Sequence, residues 1–274
     1  MNWLQALILG IVQGLTEFLP VSSSAHLVLV PWALGWKLKP EAAFVFDVLV
    51  QLGTLAAVVI YFWADLMHML RATLRAVLAR RWTDDPYLRL TGLVILGTIP
   101  AVVAGLLLKP LVEAAFDSPA AVSLFLLVTA GVMFAAEKVG RGTASLESAT
   151  WVDALWVGLA QALAIFPGIS RSGSTLAAGL ARGLPRPAAA RFSFLLYIPV
   201  MIGAGLIAGL DLAALPAAAS YVPTVLLGAA AAAVVGYLAI HWLLTFVSRH
   251  SLTVFSLYCL AAGCAGLLLS WLRG

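Results

Sequence analysis

Charged residues are scarce in this chain of 274 residues, because lysine, arginine, aspartate and glutamate together make up only 10% of it. Soluble domains usually carry about 25% charged residues, so the composition excludes an ordinary soluble enzyme. The chain also lacks the alternating polarity of a membrane β-barrel, and its apolar runs are long and rich in leucine and alanine. The sequence therefore predicts an all-α, polytopic integral membrane protein.

Cysteine is almost absent as well, and the two cysteines lie five residues apart in one apolar segment, at Cys259 and Cys264. This spacing excludes a cysteine-based metal cluster and requires no disulfide. The net charge of +4 comes with arginines at the ends of apolar segments. We interpret them as topology signals and expect no nucleic-acid partner. The N-terminus has no basic region and no clear cleavage site, so we expect no cleaved signal peptide.

One polar motif occurs twice. The first copy covers residues 9–27, LGIVQGLTEFLPVSSSAHL, and the second covers residues 157–175, VGLAQALAIFPGISRSGST. An offset of 148 residues aligns Gln13 with Gln161, and it also aligns two serines of each copy. The copies differ in their charged and titratable residues. Only the first copy contains Glu17 and His26, and only the second contains Arg171; the aligned serines are Ser22 with Ser170 and Ser24 with Ser172.

Each motif interrupts an apolar segment that is too short to cross a bilayer cleanly, since a crossing needs roughly 20 residues. Residues 2–19 and 25–36 therefore predict one re-entrant helix pair, and residues 151–166 and 172–183 predict another. Polar breaks at membrane depth are tolerated against protein or a wet cavity, so we expect a cavity there. We expect a basic interfacial helix in residues 64–89, a loop at 109–117, and six spanning helices at 43–63, 90–108, 118–137, 187–209, 222–247 and 252–272.

The two halves, residues 1–142 and 143–274, each contain one re-entrant pair and three spans, so the second half is inverted relative to the first. Eleven of the 16 lysines and arginines then lie on one side of the membrane, which the positive-inside rule assigns to the cytoplasm. Both termini are expected outside. The tips of the two re-entrant pairs are expected to meet near the bilayer midplane, as in inverted-repeat transporters.

An arginine in the second motif carries the clearest chemical signal, because a charged side chain at the bilayer centre costs at least about 2.5 kcal/mol. Arg171 is either a structural partner of Glu17 or Asp47, or part of an anion site. The small residues around it favour the anion site, since backbone N–H groups and a guanidinium suit phosphate. These neighbours are Gly168, Ser170, Ser172, Gly173 and Ser174, and we expect Ser172 or Ser174 to cap the following helix.

The first motif offers groups for acid–base chemistry. Glu17 is either an ion-pair partner of Arg171, a proton acceptor or a ligand of a hard cation such as Mg²⁺ or Ca²⁺, and Gln13 lies one turn before it on the same helix face. His26 suits proton transfer near neutral pH. Ser22, Ser23 and Ser24 either cap the second short helix or include a nucleophile. Asp47 and Gln51 are either polar residues at the start of a span or supporting groups of the same site.

Together, QGLTEFLPVSSSAH and PGISRSGST resemble the motifs of the undecaprenyl-diphosphate phosphatase family, which is also known for bacitracin resistance. The resemblance implies an inner-membrane hydrolase that removes one phosphate from a C55 polyprenyl diphosphate and recycles the lipid carrier of cell-wall synthesis. It also implies a divalent cation, and roles in catalysis for Glu17, Ser23, His26 and Arg171. This chain departs from the family pattern at Ala25, where glycine is common, and it has Gln13 where the family has glutamate or glutamine.

Under this hypothesis the site faces the outer side of the membrane, and the attacking group is Ser23, a histidine or water. Gln13 and Glu17 would bind the cation, while Gln13, Ser22, Ser24, Ser170, Arg171, Ser172, Gly173 and Ser174 would bind the substrate. The alternative function is a polyprenyl-phosphate flippase or an anion transporter, because inverted repeats with midplane hairpins are typical of transporters. Glycine-rich spans also permit helix packing between chains, so a homodimer is a further prediction.

Overall fold

A computed structural model describes residues 1–80, 84–140, 142–213 and 218–273, and within these ranges the regular secondary structure is entirely helical. The predicted all-α class is therefore confirmed. In chain order the helices are α1 (Trp3–Phe18), α2 (Ser23–Ala33), α3 (Pro40–Tyr61), α4 (Trp63–Ala79), α5 (Pro86–Leu107), α6 (Lys109–Phe116), α7 (Pro119–Val139), α8 (Trp151–Leu163), α9 (Arg171–Ala181), α10 (Arg186–Ala213), α11 (Ala218–Val247) and α12 (Thr253–Arg273).

Six helices within the described residues are long and apolar enough to cross a membrane, which confirms the predicted polytopic membrane protein with six spans. The spanning segments are Ala42–Tyr61, Pro86–Leu107, Pro119–Val139, Arg186–Leu210, Tyr221–Val247 and Thr253–Arg273. The helices α1 and α8 are apolar but shorter. Each is followed by a polar turn and a second short helix, α2 or α9, as the repeated motif predicts. That these pairs are re-entrant in a bilayer stays a prediction.

The breaks in the short pairs have local causes. Helix α1 stops just before Pro20, which has no N–H to continue the helix. Helix α2 then begins after Ser22, whose hydroxyl accepts a bond from the amide of Ala25 at 3.4 Å. The motif therefore supplies a stop and a restart within a few residues, and the polar turn between them is fixed in position.

Two details of the sequence prediction are wrong. Residues 109–117 are predicted to be a loop, but Lys109–Phe116 form α6. This helix has a proline in its first turn and carries the ion pair Lys109–Glu113 one turn apart. The cap of α9 is Ser170 rather than Ser172 or Ser174, because α9 begins at Arg171 and the cap directly precedes the first helical residue. Among the residues used to assign the cytoplasmic side, Arg81 and Arg141 lie outside the described residues.

The two predicted halves interlock through close helix crossings. Gly10 of α1 lies against the backbone of Gly228 of α11, and Gly158 of α8 lies against the backbone of Gly97 of α5. In each crossing the short helix of one half packs on the second span of the other half. Glycine permits such close approach because it has no Cβ. The division into 1–142 and 143–274 stays a prediction, and these matched crossings are what an internal repeat would produce.

We predict that Gly10→Ala destabilises the protein, because the new Cβ would overlap the carbonyl oxygen of Gly228. Overpacking of this kind typically costs about 1–3 kcal/mol, which thermal unfolding in detergent would detect. The matched control is Gly131→Ala in α7, where a Cβ has nothing within 4 Å. Alanine there should be neutral or slightly stabilising. Equal unfolding temperatures for the two variants would contradict the close crossing.

Candidate active site

Four helix ends meet at the repeated motifs, and direct bonds connect the two copies. The hydroxyl of Ser172, in the first turn of α9, donates to the carbonyl oxygen of Leu19 at 2.9 Å. The backbone N–H of Gly168 donates to the hydroxyl of Ser24 at 3.4 Å. The structure therefore brings the C-terminal ends of α1 and α8 and the N-terminal ends of α2 and α9 to one place. Two helix N-termini, each with a partial positive charge, face this region together.

A span from the first half holds the second turn in shape. The hydroxyl of Thr129, in α7, donates to the carbonyl oxygen of Gly168 and accepts from the amide of Ser170, both at 2.9 Å. Gly168 has a φ of 102°, a conformation that favours glycine. Sequence reasoning missed Thr129, since a single threonine in an apolar span gives no signal that distinguishes it from packing.

The two charges of the repeated motif form an ion pair. A guanidinium nitrogen of Arg171 lies 3.0 Å from Oε1 of Glu17, and the side chains are only 14% and 11% exposed. The structural alternative for Arg171 is therefore correct as geometry, and the partner is Glu17 rather than Asp47. The attraction within a buried ion pair often fails to offset the cost of removing both charges from water. The position of this pair beside a cavity therefore favours a functional role over a purely structural one.

Further contacts fix the plane of the guanidinium. Arg171 lies over the ring of Tyr197 at 4.2 Å and donates to the carbonyl oxygen of Ser193 at 3.5 Å. The hydroxyls of Tyr197 and Thr54 are 3.0 Å apart. Tyr197 is fully buried and also packs edge-to-face on Phe18, with ring centroids 5.7 Å apart. Sequence reasoning missed both Tyr197 and Thr54, because their role depends on α3 and α10 meeting behind the arginine.

The second oxygen of Glu17 accepts two hydrogen bonds. The amide of Gln13 donates to Oε2 at 2.9 Å, and the hydroxyl of Ser23 donates to the same oxygen at 2.6 Å. Gln13 is buried behind the carboxylate. Among the three serines, Ser23 is therefore the one whose hydroxyl donates a hydrogen bond to a carboxylate that can accept its proton.

His26 is held by hydrogen bonds at both ring nitrogens. Its Nδ1 is 2.7 Å from the carbonyl oxygen of Ser22, and its Nε2 is 2.6 Å from the hydroxyl of Tyr258 in α12. Because a carbonyl oxygen only accepts, Nδ1 carries a hydrogen and donates it. The imidazole therefore supports the serine turn from behind, and it does not line the cavity with Glu17 and Ser23.

A central cavity of about 280 Å³ lies between the four helix ends. Of the sequence-predicted site residues, Glu17, Arg171 and five serines line it: Ser22, Ser23, Ser24, Ser170 and Ser172. Thr16, Gln51, Ala101, Gln161, Ala164, Ile165, Ile169, Tyr197, Val200, Met201 and Ala204 complete the lining. Neither Gly173 nor Ser174 lines the central cavity. The N–H of Gly173 donates to the hydroxyl of Ser170 at 3.1 Å, and Ser174 lines a separate apolar cavity between α7, α8 and α9.

A second cavity of about 170 Å³ adjoins the first, with Gln51, Met201 and Ala204 common to both linings. It extends along α3 to Phe44 and Asp47, near the start of that helix, and along α10 to Ala208 near its end. Asp47 and Gln51 therefore lie on a path that leads away from the ion pair toward one end of the bundle. Polar residues that only mark the start of a span need not line such a cavity. The arrangement therefore favours the interpretation of Asp47 and Gln51 as supporting groups of the site.

The donor set limits the kind of cation that fits. Glu17 is the one carboxylate that lines the central cavity, and the described residues contain no group of three or more histidine, cysteine, aspartate or glutamate side chains suited to a metal. Mg²⁺ often takes one carboxylate and completes its shell with water and substrate phosphates. A phosphate-bridged cation on Glu17 therefore fits this set, whereas Gln13 lies behind the carboxylate and outside the lining.

Known proteins match the chain along its whole length. A family model described as "Bacitracin resistance protein BacA" matches residues 6–265. A protein of Desulforudis audaxviator named undecaprenyl-diphosphatase is 44% identical over 274 residues, which are 100% of this chain and 100% of that protein. Proteins of the same name from Thermomicrobium roseum and Methanosphaera stadtmanae are 45% and 42% identical, over 96% and 97% of this chain and 96% and 98% of their own lengths.

We predict that Arg171→Met lowers the free energy of unfolding by about 3–5 kcal/mol, because it leaves the Glu17 carboxylate buried without the guanidinium that neutralises it. Adding Glu17→Gln removes the unpaired charge, so the double variant should recover most of this loss. Thermal unfolding in detergent of the wild type, both single variants and the double variant gives the coupling energy. Additive losses would show that the two charges do not stabilise each other.

Proposed function

Because the chain belongs to the BacA family, we propose that it is an integral membrane phosphatase that hydrolyses undecaprenyl diphosphate to undecaprenyl phosphate and phosphate. This reaction recycles the lipid carrier of cell-wall synthesis, and the family name connects it with bacitracin resistance. The single observation that carries the proposal is the bonded group of Arg171, Glu17 and Ser23 in one cavity inside an apolar helix bundle. An anion binder, a base and a hydroxyl are what phosphoryl transfer from a lipid requires.

The diphosphate binds between the two helix N-termini. Arg171 offers a guanidinium that suits phosphate oxygens, and the hydroxyls of Ser24, Ser170 and Ser172 line the same cavity. Phosphate competes with Glu17 for this arginine, so binding substitutes one anionic partner for another. The apolar tail lies outside the cavity along the lipid-facing spans, which accounts for a hydrolase embedded in the membrane.

Ser23 is the proposed attacking group. Its oxygen attacks the terminal phosphorus, its proton moves to Oε2 of Glu17 along the 2.6 Å hydrogen bond, and the bond from phosphorus to the bridging oxygen breaks. Undecaprenyl phosphate leaves with the bridging oxygen. Water then attacks the phosphoserine and breaks its P–O bond, and Glu17 returns the proton to Ser23 as inorganic phosphate departs. Arg171 stabilises the charge that develops on the phosphoryl oxygens.

His26 acts as a positioning residue in this proposal. Its bond to the Ser22 carbonyl oxygen holds the turn that presents Ser23, and Tyr258 fixes the ring from the other side. A cation such as Mg²⁺ or Ca²⁺ would be held by Glu17 and would supply neutralisation of the phosphate charge. Gln13 orients the carboxylate from behind.

We propose the inner membrane as the location, with both termini and the mouth of the site on the outer side. Arginines assigned to the cytoplasm contact residues that are predicted to lie on the same side. Arg191 pairs with Asp65, Arg182 pairs with Asp153, and Arg89 donates hydrogen bonds to the carbonyl oxygens of Glu147 and Ala149. The second cavity runs toward the opposite ends of α3 and α10. This direction supports an opening on the outer side.

A flippase or an anion transporter is the second candidate function, and the pair of adjoining cavities is the observation that favours it. A carrier needs Arg171 to bind an anion, but it has no need for a serine bonded to a buried carboxylate. The hydrogen bond between Ser23 and Glu17 therefore favours the phosphatase. A homodimer stays a prediction of the glycine-rich spans.

The decisive experiment is phosphate release from a polyprenyl diphosphate by the purified protein in detergent, with Mg²⁺, with Ca²⁺ and with a chelator. We expect cation-dependent release, and we expect Ser23→Ala and Glu17→Gln to reduce it about 10²–10⁴-fold. Ser256→Ala is the control, because Ser256 bonds the carbonyl oxygen of Ala130 away from the cavity and should retain activity. Lipid that binds in an Arg171-dependent way without any phosphate release would favour the carrier.

A second prediction separates positioning from proton transfer by His26. Asparagine places a donor near the position of Nδ1, so His26→Asn should keep the bond to the Ser22 carbonyl oxygen and retain activity within about tenfold of wild type. His26→Ala loses the donor and should be weaker than His26→Asn. Rates of phosphate release at saturating substrate measure both. Equal inactivity of the two variants would contradict the positioning role and favour direct proton transfer.

A further inference from the structure

Gln161 is the one described residue whose buried side chain has polar atoms without a hydrogen-bond partner among the described residues. The side chain is 2% exposed, and both its carbonyl oxygen and its amide nitrogen lack a partner. The residue lies in the last turn of α8 and lines the central cavity together with Arg171 and Ser170. Leaving such a group unpaired typically costs about 1–3 kcal/mol, so the amide needs a partner that the protein itself does not supply.

Packing explains why Gln161 lies at the wall of the cavity. The buried face of α8 consists of Ala154, Val157, Gly158 and Gln161, which are spaced at one helical period. Gly158 lies against Gly97 of α5, and one turn further along both helices come Gln161 and the small Ala101. Both of these residues line the cavity. The close crossing therefore places Gln161 and Ala101 at the wall of the same cavity.

The first half contains the same glutamine with its partner present. Gln13 aligns with Gln161, and its amide nitrogen donates to a carboxylate oxygen of Glu17 at 2.9 Å. The residue that aligns with Glu17 in the second half is Ile165, which has no acceptor. The first glutamine thus donates to an anionic oxygen of the protein, and the second has the same donor in the same helical position without that oxygen.

We propose that Gln161 binds the substrate, with its amide N–H donating to a phosphate oxygen of the lipid diphosphate. The phosphate oxygen occupies, for Gln161, the role that the Glu17 carboxylate has for Gln13. Gln161 and Arg171 then hold the phosphate from two sides, one as a neutral donor and the other as a cation. The identity of the lipid in this inference rests on the proposed function. The anion-binding role of the amide rests instead on its lack of a partner at the wall of the cavity.

The test uses the full-length protein in detergent and two readouts. The first is direct binding of a short-chain polyprenyl diphosphate analogue with a methylene bridge in place of the bridging oxygen, so that no turnover occurs. The second is phosphate release from the corresponding diphosphate. Gln161→Leu should weaken analogue binding and raise KM about tenfold or more, with a smaller change in kcat, because a hydrogen bond to a charged group is lost. Gln161→Glu should weaken binding further, since a carboxylate repels phosphate.

Thermal unfolding without ligand separates binding from a structural role. Gln161→Leu removes an unpaired polar group, so its unfolding temperature should equal or exceed that of wild type, whereas a structural glutamine would lose stability on replacement. Gln5→Glu is the matched control, because Gln5 belongs to the capping box of α1 outside the cavity and glutamate suits that position. Its analogue binding and KM should match those of wild type.

The outcomes of the two proposals are distinct. Wild-type analogue binding and KM in a stable Gln161→Leu variant would overturn the role of Gln161 while leaving the phosphatase intact. Absence of phosphate release from wild type would overturn the phosphatase, and weakened analogue binding by Gln161→Leu would still support the binding role. A Gln161→Leu variant that unfolds at a lower temperature and binds the analogue normally would assign the side chain to packing.

Discussion

The buried ion pair between Glu17 and Arg171 is the interaction on which the site depends. Each predicted half of the chain supplies one charge, and neither charge is tolerable alone in an apolar bundle. The pair therefore couples correct assembly of the halves to completion of the site. Because the carboxylate also accepts from Ser23, the contact that joins the two predicted halves also places a carboxylate beside a hydroxyl.

Membrane solvation explains why the site takes this form. Lipid offers no partners to backbone groups, so polar turns at the membrane depth predicted for these motifs must be surrounded by protein. Two helices end at the motifs and two begin there, and the glycine crossings at Gly10 and Gly158 bring the four ends together. Helix N-termini then contribute positive potential without adding charged side chains. The polar groups of the two motifs are thereby gathered around one small cavity between the helix ends.

Sequence alone predicted the spans and the meeting of the two motifs, because long apolar runs and a repeated polar interruption are strong local signals. It did not predict contacts that depend on tertiary geometry. Tyr258 meets His26 across 232 residues, and the support from Thr129 and Tyr197 arises only when separate spans pack together. The cap at Ser170 was not predicted, because the sequence does not fix which serine of the second motif directly precedes the helix.

The most direct test of the central claim is to locate the phosphoryl group during turnover. Purified protein would be mixed with a polyprenyl diphosphate labelled in its terminal phosphate, quenched within one turnover, and digested for mass spectrometry. We expect a labelled phosphoserine at Ser23 that decays as free phosphate appears. A labelled residue elsewhere, or phosphate release with no labelled protein at any quench time, would contradict attack by Ser23 beside Glu17.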